Sequence, residues 1–140
     1  MNDAPKQTTS RPILTSIEAQ LACCERSEFL REFYTSKLGF AVAFVYGDPA
    51  FYGQAVRDCA RLNLRLVGEH VFSGDIRKRE RLLSVPITVA TASEIKQLFL
   101  DCQAAGVPFH QAFKKEPWGA RTFVVSDSDE NLILFAGPAD

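Results

Sequence analysis

The chain of 140 residues and 15.6 kDa carries 46% hydrophobic and 24% charged residues, a globular composition that excludes disorder and suffices for one domain with its own core. Sixteen Lys+Arg against seventeen Asp+Glu leave a formal net charge of −1, which removes the global electrostatic argument for nucleic acid or an anionic membrane as partner. No apolar run reaches the roughly 18 residues a membrane span needs. The polar N-terminus MNDAPKQTTSRP lacks the apolar stretch of a secretory leader, so a cytoplasmic location is expected.

Residues 1–12 read as a flexible arm, polar and interrupted by Pro5 and Pro12. Ile13–Cys24 follows as a predicted strand. Ser27 is a candidate N-cap, and Phe29, Leu30, Phe33, Tyr34 and Leu38 recur at helical spacing until Gly39 closes the helix. Three further strands are expected at Phe40–Val45, Phe51–Val56 and Arg61–Val67, with turns at Gly47-Asp48-Pro49 and Arg57-Asp58. That completes a first βαβββ module over 13–70.

A linker, 71–81, contains the charged run DIRKRER (Asp75–Arg81), which reads as a solvated segment. The second module, 82–137, repeats the order. Leu82–Ala90 is a predicted strand, and Thr91-Ala92-Ser93-Glu94 is a capping box. Ile95, Leu98, Phe99 and Cys102 share one helical face ahead of Gly106. Val107–His110, Ala120–Val125 and Asn131–Phe135 supply the last strands. The halves match at a steady offset: Phe33 answers Phe99, Gly39 answers Gly106, and Arg57-Asp58 answers Ser126-Asp127. Such self-similarity indicates a duplicated unit in which neither copy covers its own sheet.

Cys23, Cys24, Cys59 and Cys102 form no C-x-x-C pair and read as reduced thiols that pack as small hydrophobes. The two histidines, His70 and His110, show no spacing to a second ligand, so neither a zinc site nor a nucleophilic triad is expected. No glycine-rich phosphate loop occurs.

Two motifs carry a resemblance. Phe33-Tyr34-Thr35-Ser36-Lys37-Leu38-Gly39-Phe40 resembles the FY-x-x-x-LGF signature of the vicinal oxygen chelate superfamily. Pro117-Trp118-Gly119-Ala120-Arg121-Thr122-Phe123, followed by Asp127-Ser128-Asp129-Glu130-Asn131, is similar to that superfamily's closing hairpin, in the Pro-Trp-Gly form of its bleomycin-resistance branch. The likeness spans about residues 13–137. It implies an α+β fold of two βαβββ modules whose curved mixed sheets form an open cup, and a homodimer. Ser128 and Glu130 depart from the usual D-P-D-G-N turn. Because a glycine there serves a positive φ, Glu130 must adopt that conformation itself or change the turn.

The resemblance further implies that metal-dependent members place a ligand on the first and last strand of each module. The matching positions here are Ala19, Asn63 or Arg65, Ser84 and Leu134. Ala and Leu have no lone pair to donate, and a register shift of one residue to Glu18 or Gln20 would restore one ligand but not a site, so no metal and no other cofactor is expected. In Arg61–Leu66 the leucines alternate with Arg61, Asn63 and Arg65, which are aimed at the cup or at a partner subunit, where two guanidiniums suit a carboxylate or phosphate. Phe51, Tyr52 and Trp118 lie in or beside turns, where flat rings can stack on a planar ligand. Arg121 could join the ligand or pair with Asp127 or Asp129.

These features describe a metal-free protein that binds an aromatic or anionic, drug-like small molecule by sequestration, with Phe51, Tyr52, Arg61, Asn63, Arg65, Trp118 and Arg121 as the binding residues. A metal-dependent glyoxalase- or dioxygenase-like enzyme is one alternative. A structural or regulatory homologue whose cup is filled by its own side chains is another.

Overall fold

The computed structural model describes residues 11–24 and 31–139. Residues 1–10 of the expected arm and the Ser27 cap lie outside them.

In module one, β1 (Ala19–Cys23) runs parallel to β4 (Ala60–Leu66), followed outward by antiparallel β3 (Tyr52–Arg57) and β2 (Ala41–Tyr46). In module two the order repeats as β5 (Val85–Thr88), β8 (Leu132–Gly137), β7 (Arg121–Ser126) and β6 (Phe109–Lys115). Two four-stranded mixed sheets of one topology make the α+β architecture of paired βαβββ units.

Strand lengths follow from partners. The apolar residues Ile13, Leu14 and Ile17 do not extend β1 and stay 64–96% exposed, because the ladder begins at Ala19 opposite Leu62 and β4 itself starts at Ala60. Likewise β5 shrinks to four residues opposite Ile133–Ala136. Leu82 and Leu83 remain outside it and exposed.

The helix expected before Gly39 is wound as a π-helix over Arg31–Lys37, closed by Leu38 N–H to the Phe33 carbonyl at 3.0 Å. Gly39 follows at φ +75° and Gly106 at φ +74°, so the two copies end their helices by one device. Helix α2 (Ala92–Ala104) starts with the predicted capping box: Glu94 N–H donates to Thr91 Oγ1 and Thr91 N–H to Glu94 Oε1, each at 3.1 Å. Its buried face, Ile95, Leu98 and Cys102, packs on module two's sheet. At Gly137 a Cβ would stand 2.7 Å from that of Ile95, so only glycine lets α2 settle onto β8.

One core joins the modules. Leu21, Leu62 and Leu64 from the first sheet cluster with Phe123, Val125, Ile133 and Phe135 from the second. The leucine face of β4 therefore points inward, as its alternation requires.

The charged run is exposed at Asp75, Ile76, Arg79 and Glu80, as a solvated segment should be, and departs from that reading at Arg77. Its residues 76–79 form a short helix, α1 (Ile76–Arg79), in which Arg77 is buried. The Arg77 guanidinium lies 3.6 Å from the Phe72 ring centroid and donates to the Glu130 carbonyl at 2.6 Å. Aliphatic stem and planar head let an arginine cover apolar surface while keeping a polar partner.

Candidate functional site

The open face of the first sheet is set by register. Tyr52 lies opposite Arg65, and Gln54 opposite Asn63, which Gln20 of β1 flanks on the other side. Arg61, Asn63 and Arg65 thus share that face. Ala19, however, pairs with Leu62 and belongs to the core face; the open-face position just ahead of β1 is Glu18. A one-residue slip in a strand exchanges its faces, which is why the motif match assigned the wrong side chain.

Glu18, Gln54 and Asn63 form a closed network. Glu18 Oε1 accepts from Asn63 Nδ2 at 3.1 Å and from Gln54 Nε2 at 3.3 Å, and Gln54 Nε2 also donates to Asn63 Oδ1 at 2.9 Å. Gln54 and Asn63 are each only 8% exposed. Asn63 therefore spends its amide inside the protein, because a buried amide left unpaired is costly.

The remaining predicted residues separate into groups. Arg65 sits over Phe51 and Tyr52, its guanidinium carbon 5.9 and 5.3 Å from the ring centroids, so these three form one exposed cation–π cluster. Trp118, 71% exposed, caps the β6–β7 turn, which is closed by Glu116 N–H to the Ala120 carbonyl at 2.7 Å. Arg121 opens β7 with its guanidinium 5.9 Å from the Phe113 ring centroid. The carboxylates offered as its partners are engaged elsewhere: Asp127 accepts from Tyr34 and Asn131, and Asp129 from the Cys24 N–H.

Arg61 alone of the predicted set lines a cavity of about 910 Å³ between the start of β1 and β4 and the strand β5 with helix α2. Glu18 and Arg61 come from module one; Ser84, Pro86 and Thr88 come from module two. Phe40, Leu62, Ile87, Leu98 and Phe135 contribute apolar wall. A concave, mainly apolar space with a few polar groups is the common form of a small-molecule site. Its ionisable lining is asymmetric, with four carboxylates (Glu18, Asp58, Glu94, Asp101) against two guanidiniums (Arg57, Arg61). Groups of both signs already have partners: Arg57 donates to the Leu38 carbonyl at 2.8 Å and stands 3.9 Å from Asp58, Glu18 accepts from Asn63 and Gln54, Glu94 from the Thr91 N–H, and Asp101 from Gln97.

These donors do not fit the family's metal. Ser84 lines the cavity, and Leu134, opposite Val124 and Pro86 on the open face of the second sheet, carries no donor atom. Glu18 offers one carboxylate among neutral amides, beside Arg61. A divalent ion requires several donors, oxygens for a hard ion and imidazoles or oxygens for a transition metal.

Farther out on the second sheet the cup is filled by the protein itself. Glu116, buried, accepts from Arg81 Nη1 at 2.6 Å and from Thr122 Oγ1 at 2.8 Å, while the same Arg81 atom donates to Gln111 at 2.7 Å. Burial works to raise the Glu116 carboxyl, yet the bonds from Arg81 and Thr122, with the charges of Arg81 and Lys114, hold it below the usual carboxylate range. The linker thus supplies a cation that neutralises a carboxylate on the sheet.

The junction of the modules is built on the D-x-x-x-N turn. Tyr34 Oη donates to Asp127 Oδ2 at 2.7 Å, Asn131 Nδ2 donates to Asp127 Oδ2 and to the Ala22 carbonyl, each at 2.8 Å, and Glu130 takes φ +68°. The departure from glycine is therefore accommodated in the left-handed conformation. Burial, followed by the Asp127 charge, pushes the Tyr34 hydroxyl well above its ordinary range. Burial also raises Asp127 against the lowering bonds from Tyr34 and Asn131. Sequence reasoning also missed Cys24 and His70, whose Sγ and Nδ1 stand 3.9 Å apart although His70 had read as lacking a nearby ligand.

Paired βαβββ modules with open sheets, a cavity at their junction and a family-type D…N turn define a vicinal-oxygen-chelate-type protein. The chain belongs to the Glyoxalase/Bleomycin resistance protein/Dioxygenase superfamily, whose family model matches residues 23–135. It is similar to the glyoxalase/bleomycin resistance protein/dioxygenase from Alicyclobacillus acidocaldarius (TM-score 0.69, 21% identity, 89% of this chain and 92% of that one). It is also similar to lactoylglutathione lyase from Agrobacterium tumefaciens (TM-score 0.64, 14% identity, 91% and 96%). A third similar structure is the fosfomycin resistance protein FosX from Listeria monocytogenes (TM-score 0.62, 10% identity, 90% and 94%). At these identities the likeness establishes the fold; a lyase and a resistance protein share it. No curated protein matches the chain by sequence. Among the described residues, no helix is long and apolar enough to cross a membrane.

Proposed function

We propose that this protein is a metal-independent small-molecule binder that holds a largely apolar, aromatic compound in the cavity between its modules. The reading rests on that cavity: about 910 Å³ of mainly apolar wall, with donors unfit for a divalent ion. The excess of carboxylates over guanidiniums favours a guest carrying an amine or other hydrogen-bond donors, so the anionic guest expected from the sequence is the weaker candidate. Glu18 and Arg61 set polarity at one end, and Ser84 and Thr88 supply uncharged hydrogen-bonding groups. Retention without chemical change, as in sequestration, is the role such a site serves.

A dimer belongs to this proposal. Strand β2, Ala41–Tyr46, is a sheet edge exposed along its whole length, with Val42, Phe44, Val45 and Tyr46 41–65% accessible. An apolar open edge favours cover by a second copy.

Calorimetric titration with matched aromatic amines and aromatic carboxylates, before and after chelator treatment, tests the function. The amines should bind more tightly, with affinity unaffected by chelator, and Glu18→Gln should weaken them about tenfold, the worth of roughly 1.4 kcal/mol. Absence of micromolar binding by every compound, or binding abolished by chelation, overturns the reading.

A further inference from the structure

We propose that Cys24, His70 and Asp129 form a binding site for a thiolate-seeking divalent transition-metal ion, zinc by its donor chemistry, at the junction of the modules. The site is separate from the cavity and independent of its ligand.

Topology assembles it. Because β1 and β4 run parallel, their C-terminal ends emerge together, and Val67 N–H to the Cys23 carbonyl at 2.8 Å carries the pairing beyond the strands. Cys24 follows β1 directly and His70 follows β4. Asp129 arrives from the β7–β8 turn of the other module, held there by the Cys24 N–H, which donates to its Oδ1 at 2.9 Å. One ligand atom from each residue lies within 4.8 Å of the others, and Cys24 Sγ is 3.9 Å from His70 Nδ1.

The spacing suits an ion better than a direct bond. Tetrahedral zinc, with bonds of about 2.3 Å to sulfur and about 2.0–2.2 Å to nitrogen and oxygen, separates its ligand atoms by roughly 3.4–3.6 Å. The observed sulfur–nitrogen gap is close to that figure. The widest spacing in the set, within 4.8 Å, must close by about 1 Å, which asks for rotation of the exposed His70 ring toward Cys24 and Asp129. Mixed sulfur, imidazole and carboxylate donors select zinc or a similar ion over magnesium or calcium. The backbone bond to Asp129 orients the carboxylate, as hydrogen bonds to metal-ligating carboxylates commonly do. Cys24 and Asp129 are half-buried and His70 is exposed, so the ion has an entry path and a fourth position open to water.

Titration with Co²⁺, followed by Zn²⁺ competition, tests the site in the full chain. One equivalent should bind with thiolate-to-cobalt charge-transfer absorption and yield to zinc. That absorption should vanish in Cys24→Ser and persist in Cys59→Ser, whose thiol is the exposed one among the four cysteines. His70→Ala and Asp129→Asn should each weaken binding by more than about 10-fold, the lower end of what even orienting partners cost. His70 is exposed and its removal should leave the fold intact, so its variant keeps the test decisive if another misfolds. In the wild type the melting temperature should rise with zinc, and in His70→Ala it should not. No one-equivalent binding, absorption that survives Cys24→Ser, or affinity unchanged in His70→Ala overturns the proposal. The amine titration after chelation reports separately on the cavity.

Discussion

Replacing Tyr34 by Phe deletes a single oxygen at the seam between the modules. The ring would keep its edge-on contacts with Phe33 and Phe40, at centroid distances of 4.9 and 6.4 Å. The loss is the 2.7 Å bond to Asp127, between groups only 2% and 9% exposed. Asp127 would retain Asn131 Nδ2 and the N–H groups of Asp129 and Asn131. A hydrogen bond to a charged acceptor contributes about 1.5–3 kcal/mol. In a chain of this length each kcal/mol shifts the melting temperature by about 3 °C, so a fall of roughly 5–10 °C is expected.

The penalty should depend on pH. The Tyr34 bond lowers the Asp127 carboxyl, which burial otherwise raises, so Tyr34→Phe lifts it further in the folded state. The wild-type advantage is therefore full where Asp127 is ionised and shrinks as pH falls through its raised native value. Urea denaturation of both proteins at neutral and acid pH, with slopes compared, measures this. An unchanged midpoint at neutral pH, or a penalty identical at every pH, would refute the reasoning.

Glu116→Gln should cost about 1–2 kcal/mol at neutral pH, since the amide oxygen still accepts but the charge opposite Arg81 is gone. Because the native Glu116 carboxyl is held low, its contribution is present above the ordinary value of about 4.3 and is lost as pH falls through the native one, so the two proteins should converge in acid. A gap in urea midpoints that widens in acid would contradict the assignment. Phe44→Asp on the exposed β2 edge should turn a sedimenting dimer into a monomer; a wild-type monomer at micromolar concentration would remove the dimer.

Much of the architecture was legible in short-range chemistry. The capping box at Thr91–Glu94, the positive-φ glycines at 39 and 106, and the leucine alternation of β4 each act within a few residues, and the recurrence of the glycine with Phe33 and Phe99 at a steady offset displayed the two modules. The candidate site was less legible. Arg61 reaches the cavity and Arg65 gathers Phe51 and Tyr52, but Asn63 is spent on Gln54 and Glu18. Trp118 and Arg121 lie away from the cavity wall.

Tertiary structure decided the rest because those facts depend on pairing between distant segments. The ladder between β1 and β4 turned Ala19 inward and left Glu18 on the open face. Parallel strand ends and an inter-module turn brought together Cys24, His70 and Asp129, separated by up to 105 residues along the chain. Residue types determine which bonds a side chain can make. Which partner comes within the few ångströms where those bonds act is set by how the two sheets close on one core.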